Sequence, residues 1–119
     1  MLCPHHDIKI VQRSNRQSAV AAAAYQSGER LFSEYDQKQK YYAEKRGIVH
    51  TEIMLPPHAP PEYADRNTLW NAAEAVEKQW NSQLARRIVL AIPREIPRSQ
   101  HAGLIRDYCR EFFVSKGMI

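Results

Sequence analysis

The sequence predicts an α+β fold: an α/β two-layer arrangement in which one small sheet carries helices on one side. Three observations predict it. Short apolar runs bounded by turn residues occur at 5–12, 48–55 and 86–92. Helix-favouring stretches lie between and after them, at 17–25, 66–84 and 97–116. The two kinds are mixed along the chain rather than segregated, as two-layer folds require. A length of 119 residues with 44% apolar content suits one domain of modest core.

In order, His5-His6-Asp7-Ile8-Lys9-Ile10-Val11-Gln12 reads as the first strand. Arg13-Ser14-Asn15-Arg16 is a polar turn, and Ser14 with Gln17 three residues on forms a capping-box pattern. The alanine-rich run 17–25 is a short, nearly bare helix, with Gly28 as its stop. Tyr25 therefore falls in the last helical turn. Residues 29–46 are polar and rich in Tyr, Lys, Glu and Gln, a surface excursion that enters a strand near Lys40-Tyr41-Tyr42. Gly47 opens a strand over 48–55, with Val49, Thr51, Ile53 and Leu55 on one face and His50 and Glu52 on the other. The prolines between 56 and 61 end it and form a stiff connector.

The longest helix is expected over 66–84, with a stripe of Leu69, Ala73, Val76, Trp80 and Leu84, capped by Asp65 or Asn67. On this reading Trp80 is core, and Trp70 is left unassigned. Residues 86–92 form a central strand closed by Pro93. A last helix runs from about Pro97 to Lys116 with Leu104, Ile105, Tyr108 and Phe112 as its stripe, and Gly117 stops it. Met118-Ile119 reads as the opening of a further strand, so the chain is expected to be one incomplete domain without an internal linker.

Charge and chemistry narrow the function. The formal net charge of +4 favours an anionic partner, with nucleic acid the usual one. Arg13, Arg16, Arg86, Arg87 and Arg94 are the candidate DNA contacts, since arginines near a sheet face can neutralise phosphates. The start has no secretory pattern, no stretch approaches a membrane span, and two cysteines, Cys3 and Cys109, give no disulfide framework. A cytoplasmic chain is the expectation. His5 and His6, being adjacent on a strand, face opposite sides, and no HxH or HxxxH spacing occurs. His50 and Glu52 share a face, which suits a ligand pair or a base with its orienter. An exposed strand face also carries such residues without function. No three-histidine metal site assembles from this sequence.

The segment KIVQRSNRQSAVAAAAY (9–25) resembles the opening motif of the MobA/MobL conjugative relaxases: strand, Arg-Ser turn, Ser-Ala-rich helix, tyrosine. GIVHTEIMLPPHAP (47–60) is similar to that family's second block. So is the helix bearing Trp70-Asn71, Glu74 and Glu77-Lys78, leading to IVLAIPRE (88–95). The resemblance spans nearly the whole chain with its blocks in order. It implies an incomplete HUH-endonuclease sheet, antiparallel, and a site- and strand-specific nick at a plasmid transfer origin. Tyr25 would be the nucleophile and would remain joined to the 5′ end. His50, Glu52 and Glu74 would support the site. A divalent metal, Mg or Mn, is implied for the complete domain, on a histidine cluster that the family carries beyond the helix ending near Gly117. For residues 1–119 alone, neither metal nor activity is expected. Single-stranded origin DNA and relaxosome proteins would be the partners. Relatives usually carry Ala-Arg-Glu where this chain has Ala85-Arg86-Arg87, a reversal of charge at Arg87. A DNA-binding remnant without catalysis is the alternative, and a small basic interaction domain a third.

Overall fold

The structure, a computed structural model, describes residues 6–119. The expectations for Cys3 and His5 lie outside them. Strand β1 (His6–Gln12) leads into a 3-10 turn at Arg13–Asn15. Arg16 follows in the left-handed region, with φ of 59°. That backbone cannot continue into a helix, so the cap is not the expected Ser14. Helix α1 (Ala19–Ser27) is capped instead by Ser18, whose Oγ accepts from the Ala21 amide at 3.2 Å. Gln17 reaches backward, its Oε1 accepting from the Gln12 amide at 2.9 Å. Gly28 ends α1 as expected, at φ of 76°.

The polar excursion contains a hairpin, β2 (Leu31–Ser33) and β3 (Lys38–Lys40), so the strand expected near Lys40 arrives slightly earlier. Leu31 is the buried anchor of this hairpin. The expected strand over 48–55 does not form: among the described residues the segment joins no ladder, and Val49 is 91% exposed. Alternating pattern alone makes no strand, because strand amides and carbonyls need a neighbouring strand's.

Helix α2 (Arg66–Val76) is capped by Asp65, which accepts from the Thr68 amide at 3.0 Å. The other candidate, Asn67, is engaged elsewhere, accepting from the Phe32 amide at 2.7 Å. Asn71 completes the attachment of β2, donating to the Phe32 carbonyl at 2.7 Å and accepting from the Glu34 amide at 2.8 Å. The helix ends well before residue 84. Val76 and Trp80 are 72% and 62% exposed, so the expected stripe breaks and Trp80 is not core.

Leu84 is buried, but in strand β4 (Gln83–Leu90), which pairs antiparallel with β1. Ile8 lies opposite Ile88 and Lys9 opposite Arg87, with a bulge between Val11 and Gln12. The strand thus begins earlier than expected and stops before Pro93. Helix α3 (His101–Phe112) lies between short 3-10 turns at Arg98–Gln100 and Val114–Lys116. It has no fully buried residue, and Phe112 of its apolar stripe is 47% exposed.

The core is small and lies where α1, α2 and the β1–β4 ribbon meet. Val11, Ala19 and Leu84 form one buried cluster, and Val20, Ala24 and Leu31 another. Trp70, unassigned from sequence, packs against both and joins them. The architecture is α+β, as expected, although among the described residues the sheet consists of two separate antiparallel pairs.

Candidate functional site

Tyr25 sits in the last turn of α1, 41% exposed. Alanine precedes it for four residues, so little side-chain bulk stands between the helix surface and an incoming chain. Two side chains from the stretch after the hairpin face the ring. The Tyr42 ring packs T-shaped with it, with centroids 5.5 Å apart and planes at 85°. The Lys45 ammonium lies 4.4 Å from its centroid. Sequence reasoning missed both, because residues 29–46 carry no recognisable motif.

The other end of α1 is fixed by Glu74 of α2. This carboxylate is buried and accepts from the Ser18 hydroxyl at 2.7 Å and from the Val20 amide at 3.2 Å. A negative charge at a helix N-terminus is favoured by both the free amides and the macrodipole. Glu74 therefore fixes the start of the helix that carries Tyr25.

The five arginines expected to contact DNA do not share one surface. Arg13 is 5% exposed and donates to the carbonyls of Glu74 at 3.0 Å, Glu77 at 2.6 Å and Gln79 at 3.0 Å. It caps the C-terminal end of α2 and offers no free cation, which corrects the sequence reading. It also explains why α2 stops: carbonyls that would have continued the ladder find a guanidinium instead. Arg16 is exposed and lines a cleft of about 210 Å³ with Arg13, Tyr35 and Trp80. Arg86 is exposed, whereas its neighbour Arg87 is half-buried on the opposite face of the ribbon. The Arg87 Nε is buried without a hydrogen-bond partner among the described residues. Arg94 is exposed in the loop after β4.

His50 and Glu52 do come together, with Nε2 and Oε1 2.8 Å apart. A third member, Arg106 of α3, donates to both Glu52 oxygens from Nε at 3.0 and 3.1 Å, and from a terminal nitrogen at 2.8 Å. Arg110, four residues on, meets Asp107 at 3.5 Å. The Arg106 guanidinium, and secondarily His50, hold the Glu52 carboxyl down to about 2. Among the described residues no three His, Cys, Asp or Glu side chains converge to hold a metal, so these residues do not fit a divalent ion. Nor is any described helix long and apolar enough to cross a membrane.

Comparison with known proteins adds to this geometry. Residues 17–119 match the profile of the MobA/MobL family. The chain is similar to conjugal transfer protein TraA of Agrobacterium fabrum: 35% identical over 129 aligned positions, covering 100% of this chain and 12% of that protein. It is also similar to mobilization protein MobL of Acidithiobacillus ferridurans, 34% identical, covering 89% of this chain and 27% of the relative. The chain thus spans well under a third of either relative. A structure solved to give the molecular basis of vancomycin resistance transfer in Staphylococcus aureus superposes with a TM-score of 0.84 at 32% identity. That match covers 91% of this chain and 55% of the solved one.

Proposed function

The chain belongs to the MobA/MobL family, and from that premise we propose that it is the tyrosine-bearing part of a conjugative relaxase acting on single-stranded origin-of-transfer DNA. In this reading the Tyr25 hydroxyl oxygen attacks the phosphorus of one backbone phosphate. The bond from phosphorus to the 3′ oxygen breaks, that oxygen leaves and takes up a proton, and the 5′ phosphate stays on Tyr25. The phosphotyrosine keeps a phosphodiester linkage in store for rejoining. One observation carries the reading: Tyr25 is exposed in the last turn of a helix whose other end Glu74 pins to α2. A nucleophile needs that combination of access and fixed position.

Exposed Arg16, Arg86 and Arg94 would neutralise phosphates along the strand. Half-buried Arg87 would add a further contact through the accessible part of its guanidinium. A divalent ion, Mg or Mn, belongs to the proposal for the longer protein, to which it would supply polarisation of the phosphate. Its ligands would come from outside the described residues, in the sheet completed as an HUH endonuclease. Relaxosome proteins and the cytoplasm are the partners and compartment that follow.

Because no metal-holding cluster forms among the described residues, a second reading is a DNA-binding remnant without catalysis. One experiment separates the two. The full-length protein, incubated with an origin oligonucleotide and Mg²⁺ or Mn²⁺, should give a covalent adduct on a denaturing gel, and Tyr25→Phe should abolish it. An undiminished adduct in that variant would sink the assignment of Tyr25. No adduct from the unsubstituted protein would leave the remnant.

A further inference from the structure

Residues 41–46 cross beside Tyr25 as a strap whose conformation is fixed by hydrogen bonds. The Lys45 amide donates to the Tyr42 carbonyl at 3.1 Å, closing a turn. The Arg46 guanidinium donates to the Ala43 carbonyl at 2.8 Å and ties the turn from the other side. Gly47, at φ of 80°, leads the chain away. As a result Tyr42 and Lys45 both project toward Tyr25, while Arg46 is engaged by the backbone. Tyr41 is held by Arg30, whose guanidinium lies 4.5 Å over its ring.

The strap and Tyr25 enclose an open cleft of about 590 Å³. That falls within the range of about 300–1,000 Å³ usual for ligand sites. Its composition is selective: three tyrosines and two cations with one acid, Glu44. Tyr41 and Tyr42 are 46% and 41% exposed. The two rings are T-shaped, so at least one face of Tyr42 stays clear of Tyr25 for a further flat partner. Exposed aromatic rings alternating with cations bind unpaired nucleotides, since every base has a face to stack and every linkage a negative charge.

We propose that this strap is a nucleotide-binding site: an unpaired base of single-stranded DNA stacks on Tyr42, and the adjoining phosphate is bound by Lys45 within reach of Tyr25. The proposal rests on the relaxase reading of Tyr25 and adds what presents the strand to it. Lys45, half-buried, now sits over an aromatic ring and exchanges that contact for a phosphate without breaking an ion pair, since it forms none among the described residues. Duplex DNA, whose bases are already stacked, has no use for Tyr42.

The test uses the 119-residue chain and a fluorescein-labelled single-stranded oligonucleotide, read by anisotropy. Tyr42→Ala should weaken binding roughly five- to hundredfold, the span of one lost base stack, while Tyr42→Phe binds as the parent does. Lys45→Ala should lower the slope of log affinity against log salt by about one, the mark of one phosphate contact. With 5-iododeoxyuridine in the oligonucleotide, irradiation should cross-link the peptide containing Tyr41 and Tyr42. The duplex of the same sequence should be indifferent to Tyr42→Ala. Circular dichroism identical to the parent's establishes that each variant is folded, as expected for half-exposed side chains. Parent-like binding by both alanine variants would overturn the strap and leave the relaxase reading standing. A parent chain that binds no single strand at low salt would count against both.

Discussion

Glu74 and Arg13 form a reciprocal clamp, in which each residue closes the end of a helix it does not belong to. The Glu74 carboxylate closes the start of α1, and Arg13, just ahead of α1, closes the end of α2 through the carbonyls of Glu74, Glu77 and Gln79. Both side chains are buried, so loss of either leaves polar groups without water or partner. Glu74→Ala should therefore destabilise the chain by about 1–3 kcal/mol, the range for orphaning buried polar groups. In a thermal melt this appears as a drop of several degrees in Tm. Glu74→Gln, which keeps an acceptor and the volume, should lose less. An unchanged Tm in Glu74→Ala would mean that Ser18 and the Val20 amide are satisfied without it. The family resemblance marks Glu74 as a supporting residue, the sequence places Tyr25 at the end of a helix, and the structure bears out the geometry of the second. It does not reveal the clamp, because a buried Arg facing carbonyls and a free Arg facing phosphates look alike in a string of residues.

At the level of elements, periodicity succeeded where local chemistry agreed with it. For α1 an alanine run, a cap and Gly28 coincide, β1 carries three β-branched residues, and the Ile88-Val89-Leu90 end of β4 is apolar. It failed where a long-range partner decided the outcome. The spacing of Leu69, Ala73, Val76, Trp80 and Leu84 continues past the point at which Arg13 ends α2, so one apparent stripe belongs to a helix, a turn and a strand. The 48–55 segment has the alternation of a strand but is held by side chains, chiefly Glu52 on Arg106 of α3. That link makes a pH prediction. The carboxyl of Glu52 is lowered to about 2 from an ordinary value of 4.5. A depressed carboxyl contributes stability above its unfolded value, and loses it as pH falls through the folded one. The attachment of residues 48–55 to α3 should thus persist at neutral pH and weaken between about 4.5 and 2. An NMR titration of the Glu52 side-chain carboxyl carbon should give a midpoint near the lower value. In Arg106→Ala it should rise, since the first cause of the shift is gone. A midpoint that stays put in the variant would show that the ion pair does not form in solution.

For the molecule as a whole, the cations lie on several surfaces and the core is confined to two small clusters bridged by Trp70. On the proposed reading such a chain would hold a strand and present a tyrosine, and the chemistry would call for a metal ion as well. A tyrosine phenol, with a reference pKa of about 10, is a poor nucleophile near neutrality. Metal assistance typically supplies several kcal/mol of transition-state stabilisation, and each 1.36 kcal/mol is about tenfold in rate. No described cluster can hold the ion: His50 has Glu52 beside it, and Glu52 is already bound by Arg106. Loss of the ion should cost several orders of magnitude, enough to hide an adduct in an ordinary assay. The 119-residue chain should therefore bind a single-stranded origin oligonucleotide with an affinity that falls steeply with salt, because phosphate contacts release counterions. It should form no adduct with that oligonucleotide in Mg²⁺ or Mn²⁺. Binding is read by anisotropy across salt concentrations, and adduct by a denaturing gel on the same samples. Affinity indifferent to salt would remove the phosphate contacts assigned to Arg16, Arg86 and Arg94. Nicking that depends on Tyr25 would show that residues 1–119 already contain a complete catalytic site, with a metal held by side chains this structure keeps apart.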